Sequence, residues 1–167
     1  MQTLSYSHHL ELLKIPWIIL KGKTNDVYYI KAHYDDTEYK ILVTDLKYVW
    51  YEHGNSILIM RRAENYRMEI ETKEQIKTLI CSLRNCFEQS KNCFPTLIEN
   101  KLVIEYNESM KGFTSLSWSF HCLPLEITMD SKNENEFLDG PTVLYMHFIL
   151  PMLMVTQSES MKRSSND

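Results

Sequence analysis

The chain has 167 residues, 18 Lys and Arg against 22 Asp and Glu, four Cys, and 44% hydrophobic residues. That composition supports one packed domain and excludes overall disorder, while four cysteines are too sparse for a disulfide scaffold. A net charge of −4 argues against autonomous DNA binding, which rests on Lys and Arg neutralising phosphates.

The first segment, Leu4 to Leu13, reads as one short helix. It carries Glu11, and Lys14 follows directly, so it is unlike a secretory apolar region. Pro16 opens Trp17 to Leu20, and Lys21 to Asp26 supplies turn chemistry. Val27 to Tyr34 alternates with period two, Tyr28, Ile30, Ala32 and Tyr34 on one face and Val27, Tyr29, Lys31 and His33 on the other. That is a strand. Asp35 to Thr37 turns the chain into a second strand, Tyr39 to Thr44, and Leu46 to Tyr51 continues as a third short strand or turn.

After His53 to Ser56 the period changes. Ile57, Met60, Ala63, Met68 and Ile70 fall at rough helical spacing. Thr72 to Gln75 fits a capping box, and Ile76, Leu79, Ile80, Leu83 and Phe87 trace the stripe of an amphipathic helix. Strands return at Thr96 to Ile98 and Lys101 to Tyr106. Leu116 to Leu123 then alternates most cleanly, with Leu116, Trp118, Phe120 and Cys122 on one face, and reads as the strand that anchors the core. The pattern is mainly β with a helical insertion.

Glu126 to Asp139 holds five acids and one Lys and is expected to be a mobile loop. Gly140-Pro141 introduces a helix, Thr142 to about Gln157, apolar nearly all round and interrupted by Pro151. Such a helix must be buried on several sides, inside the domain or between chains. The expected organisation is a head over residues 1–125 with its insertion at about 56–91, an acidic loop over 126–140, a helix over 141–157 and a disordered tail over 158–167. The longest apolar run, Phe148 to Val155, falls short of the ~20 residues that span a bilayer. A soluble intracellular protein is expected.

Enzyme chemistry finds little footing. The chain has no phosphate loop, dinucleotide fingerprint, HExxH pair or nucleophile elbow. Cys81, Cys86 and Cys93 lack CxxC spacing and read as small buried hydrophobes rather than zinc ligands. His121 and Cys122 are neighbours on a strand and so face opposite sides. His8 and His9 lie near the terminus and read as solvated, and Asp35-Asp36 as turn residues. No catalytic residue, metal or cofactor is expected.

Several segments carry a resemblance. Leu42-Val43-Thr44-Asp45-Leu46 with Val49-Trp50-Tyr51-Glu52 resembles the "LVSDLxxVWxE" stretch of the Cernunnos/XLF non-homologous end-joining factor family. Trp118 to Cys122 resembles its "WNFHC" strand, Arg62-Ala63 the "RA" of its first inserted helix, and Pro16-Trp17 its N-terminal "PW". Pro151 falls where that family has a proline early in its stalk. The matches keep their order over roughly residues 12–155.

The resemblance implies an antiparallel β-sandwich head with a helix-turn-helix insertion, followed by a stalk-type helix, Leu144, Phe148 and Pro151 belonging to the dimer-forming stalk. It implies a non-enzymatic nuclear scaffold of double-strand break repair. Such a scaffold bridges DNA ends by head-to-head docking with the protein that carries DNA ligase IV, together with the Ku heterodimer. By position, Phe113 and Ile70 match the family's docking residues, with Arg67 near the place of a basic residue where Glu69 stands. Arg62, Trp118 and Cys122 are expected to support the head. With Lys162-Arg163 the only basic pair after the helix, homodimerisation and the Ku and DNA contacts are expected to be weak, indirect or lost. A structural head-plus-coil scaffold of the centriole-assembly type is the alternative.

Overall fold

A computed structural model describes residues 3–109, 115–125 and 137–165. Ser5 caps the first helix by accepting from His8 N–H, so a two-residue strand β1 (Leu4–Ser5) leads straight into α1 (Tyr6–Leu13). A meander follows: β2 (Ile18–Lys21), β3 (Val27–Tyr34), β4 (Tyr39–Thr44) and β5 (Val49–Gly54). The insertion is α2 (Ser56–Asn65) and α3 (Lys73–Leu83), and β6 (Cys93–Ile98), β7 (Lys101–Glu108) and β8 (Leu116–Pro124) complete the sheet.

The strands form one antiparallel seven-stranded sheet in the order β2-β3-β4-β5-β8-β7-β6. β8 pairs with β7 along its length but with β5 only at Trp50↔Pro124 and Tyr51↔Leu123. The sheet therefore folds over at β8, and its two halves close on a core that includes Leu20, Ile30, Tyr39, Ile41, Leu102, Ile104, Trp118, Phe120 and Cys122. Ile59 and Ala63 of α2 and Ile76, Leu79, Ile80 and Leu83 of α3 close it on one side.

A second, smaller core lies on the outer face of β4 and β5. Leu42, Val49 and Tyr51 meet Leu4 and Leu12 from the N-terminal segment and Val143 and Phe148 from the C-terminal helix. Strand β4 is thus covered on both faces, and all six of its residues are buried. Lys40 and Thr44 are consequently enclosed along with the apolar positions.

Three local outcomes differ from the sequence pattern. The first inserted helix stops at Asn65, so Met68 and Ile70 lie in the connection to α3. Tyr66 caps α2, Arg67 takes a left-handed φ of 55°, and Met68 N–H returns to Ala63 O while Arg67 N–H returns to Glu64 O. This is a Schellman ending, closed by hydrogen bonds that end the helix despite the continuing apolar spacing. The capping box at α3 has both of its reciprocal bonds, between Thr72 and Gln75. Residues Phe137–Leu138, at the end of the expected acidic loop, form β9 and pair with β1; the rest of that loop, 126–136, lies outside the described residues. Cys81 is exposed, whereas Cys86, Cys93 and Cys122 are buried.

Asp139 caps α4 (Gly140–Leu144), which runs through a π turn over Tyr145–Ile149 into α5 (Leu150–Ser164), so the helix continues past its expected end at Gln157 through residues expected as a disordered tail. Pro151 explains the turn. It has no N–H to return to the His147 carbonyl, and its ring would crowd that carbonyl in a regular helix. Widening to the π pattern, with Leu150 N–H donating to Tyr145 O, makes room one turn earlier.

Candidate partner-binding site

Glu52 shares a face with Trp50 on β5, so its carboxylate points into the apolar interior and is fully buried. A buried carboxylate requires a partner. Arg62, one turn before the end of α2, supplies it: Nη1 lies 2.5 Å from Glu52 Oε1 and Nη2 3.2 Å from Oε2. The same guanidinium donates to Ser119 O at 2.7 Å and to the Tyr39 hydroxyl at 2.9 Å. Tyr39 O–H and His121 N–H both donate to Glu52. Burial works against the Arg62 charge, but Glu52 outweighs it and holds the guanidinium pKa above its ordinary value. Arg62 also lies 5.8 Å over the Trp118 ring, and Tyr66 stacks on that ring from α2. Cys122 is enclosed below, and burial pushes its thiol pKa well up.

These contacts tie α2 to β4, β5 and β8 and so set the position of the α2–α3 connection. A groove of about 690 Å³ opens there, lined by Tyr66, Arg67 and Met68, by Ser82, Asn85 and Gln89 from the α3 side, by Glu108 at the end of β7, and by Ser115 and Leu116 at the start of β8. Arg67 is exposed at its rim. Ile70 is half-buried and leans on the main core. Phe113 lies outside the described residues, two positions before the Ser115 that lines the groove.

A model of the XLF N-terminal domain matches residues 16–124. The chain belongs to that family. Mouse Non-homologous end-joining factor 1 is 25% identical over 130 residues, which cover 74% of this chain and 43% of the mouse protein. The chain thus corresponds to less than half the length of that curated relative. Among solved structures, an N-terminal fragment of Leishmania SAS-6 containing parts of its coiled coil domain aligns with a TM-score of 0.46 at 10% identity, over 91% of this chain and 88% of that one.

In this XLF-family head the C-terminal helix divides in two. Its first part is tied down: Val143, His147 and Phe148 are buried against the smaller core. Phe148 is fully enclosed within the chain, so it is a head–helix contact and is not presented to a second chain. Leu144 is half-buried beside that core, and Pro151 is half-buried at the start of the second part. Beyond it no residue of α5 is buried, and Leu150, Leu153, Met154, Val155 and Met161 are exposed. None of the described helices is long and apolar enough to cross a membrane.

Two groups of residues escaped the sequence pattern. Glu52 is the missing partner of Arg62; an acid at i+2 from Trp50 on an otherwise apolar face was its signal. Of the two α1 histidines, His8 is half-buried and His9 is enclosed. His9 is 2% exposed, and its Nδ1 lies 2.8 Å from His147 Nε2, while Lys31 Nζ reaches His147 Nδ1 at 3.4 Å and Leu12 O at 3.3 Å. This polar cluster joins α1, β3 and the C-terminal helix. Position near a terminus concealed it, because the contact partner is 138 residues away.

Proposed function

We propose that this chain is a non-enzymatic nuclear scaffold of DNA double-strand break repair by non-homologous end joining, docking head-to-head with the protein that carries DNA ligase IV. The observation that carries the reading is the groove at the α2–α3 connection. Arg67 on one lip and Ser115 on the other come from sequence segments that the family resemblance assigns, through Arg67, Ile70 and Phe113, to one docking surface. With Phe113 as an apolar wedge and Arg67 as a charged contact, such a surface suits a recognition hot spot, where a few central side chains carry most of the binding. Family membership over residues 16–124 supports the same role. The exposed apolar positions of α5 offer a seam for self-association. Contacts with DNA and Ku are indirect or weak in a chain of net charge −4.

The test is capture of this chain by the isolated head of the ligase IV-associated protein, wild type against Phe113→Asp. A charged residue in the wedge should abolish capture, while circular dichroism stays unchanged. Equal capture of both, or none of the wild type at tens of micromolar, overturns the reading.

A further inference from the structure

Cross-strand register aligns His33, Lys40 and His53 in one row over β3, β4 and β5 on the face that α1 covers. From α1, His8 and Glu11, three residues apart and thus on one side of the helix, reach down to that row. The β3–β4 turn contributes Asp35 and Glu38. Lys40 Nζ sits among the carboxylates, 2.8 Å from Glu11, 3.2 Å from Asp35 and 2.7 Å from Glu38. Three carboxylates around one ammonium leave two negative charges unmatched when the imidazoles are neutral.

The two sides of this cluster differ. On the Glu11–His33–Asp35 side the Lys40 ammonium already occupies the place a cation would take. On the other side His8, Glu38 and His53 each offer one ligand atom, all within 4.8 Å of one another. We propose that His8, His53 and Glu38 form a Zn2+ site that pins α1 to the sheet, with one coordination position left to water. Two imidazole nitrogens and one carboxylate oxygen are a zinc donor set. Ligand atoms about 2.1 Å from zinc in a tetrahedron stand about 3.4 Å apart, so closure asks for side-chain shifts of about an ångström.

The surrounding partners fit this role. His53 Nε2 lies 2.8 Å from Glu38 Oε2, a contact in which the ion replaces the shared proton. Glu38 Oε1 is held by Lys40, and His8 Nδ1 by the Tyr51 hydroxyl at 2.9 Å, which leaves His8 Nε2 for the metal. Such outer contacts orient ligands and select the nitrogen that binds. The residue after His8, His9, touches His147 of the C-terminal helix. An ion on His8 would therefore also steady the joint between head and C-terminal helix.

The experiment is calorimetric titration of the tag-free, metal-stripped full chain with zinc chloride, paired with the visible spectrum of the Co2+ form. One ion per chain is expected, with Co2+ bands of tetrahedral intensity and no thiolate charge-transfer band. His53→Ala removes a direct ligand and should weaken binding by more than the about 10–100-fold typical of losing an outer partner. His53 is half-buried, with 28% of its side chain exposed, so the variant should keep its far-ultraviolet circular dichroism. Cys81→Ser, which removes the exposed thiol, should bind as the wild type does. No binding at tens of micromolar, unchanged affinity in His53→Ala, or a thiolate band that vanishes in Cys81→Ser each overturns the proposal.

Discussion

Tyr39 and Gly54 face each other across the β4–β5 pair so closely that a Cβ at position 54 would stand 2.2 Å from Tyr39 Cζ. The ring cannot swing away freely. It is fully buried, packs edge-on against Phe120 at 5.3 Å, and its hydroxyl is bound to Glu52 and Arg62. Gly54→Ala is therefore an overpacking change. We expect a loss of about 1–3 kcal/mol, read as a lower urea midpoint with an unchanged slope. Equal stability would mean that Tyr39 has another resting place.

The Arg62–Glu52 pair is the next point of failure. Arg62→Met leaves Glu52 enclosed with only the Tyr39 hydroxyl and the His121 amide as donors. Stranding one member of a buried ion pair costs about 3–5 kcal/mol. The double variant Arg62→Met with Glu52→Leu removes the stranded charge as well, and should recover part of that loss. A denaturation cycle over the four proteins measures it. Strictly additive losses would show that the two side chains do not act as a pair.

Much of this head was legible from local pattern, for identifiable reasons. The alternation from Leu116 to Cys122 marks a strand because one of its faces meets the main core and the other does not. The α3 start was readable because a capping box is a contact between residues three apart. What escaped depends on partners distant in the chain. Lys31, Lys40 and His9 look like surface residues until α1 and the C-terminal helix close over β3 and β4. The division of the last helix escaped for the same reason: Phe148 and Leu153 are both large and apolar, and only the distance from the head decides which is enclosed. Arg67 was legible as a basic residue near the proposed docking site, but not as the left-handed residue that ends α2.

That conformation carries its own prediction. A non-glycine residue in the left-handed region bears a steric cost that glycine escapes. Relief of the about 1–2 kcal/mol left-handed cost, less the about 0.5–1 kcal/mol of extra chain entropy that glycine loses on folding, should raise the stability of Arg67→Gly by about 0.5–1 kcal/mol. The substitution should also remove a positive charge from the rim of the groove, so the proposed docking weakens while the fold strengthens. Opposite signs in thermal melting and in partner capture separate these roles; a fall in melting temperature would refute the conformational account.

His147 gives the joint between head and C-terminal helix a defined dependence on pH. Burial, followed by the charge of Lys31 and contact with His9, lowers its pKa from 6.5 to about 3. The unfolded chain therefore takes up a proton below pH 6.5 that the folded chain refuses until about pH 3. Stability is fully present above pH 6.5 and falls as pH drops through that window. Glu38 adds a loss in the same direction at lower pH, because its folded pKa is about 2 against 4.5. Lys31 acts at the other end. Burial lowers it from 10.5 to about 8, so stability rises again as pH increases between those values. His147→Leu should leave the alkaline rise and the Glu38 step in place while flattening the curve between pH 6.5 and 4.5. Melting temperatures of both proteins across pH 3–10 test this. Parallel curves would mean that His147 is protonated in the folded chain, with its contacts to His9 and Lys31 broken.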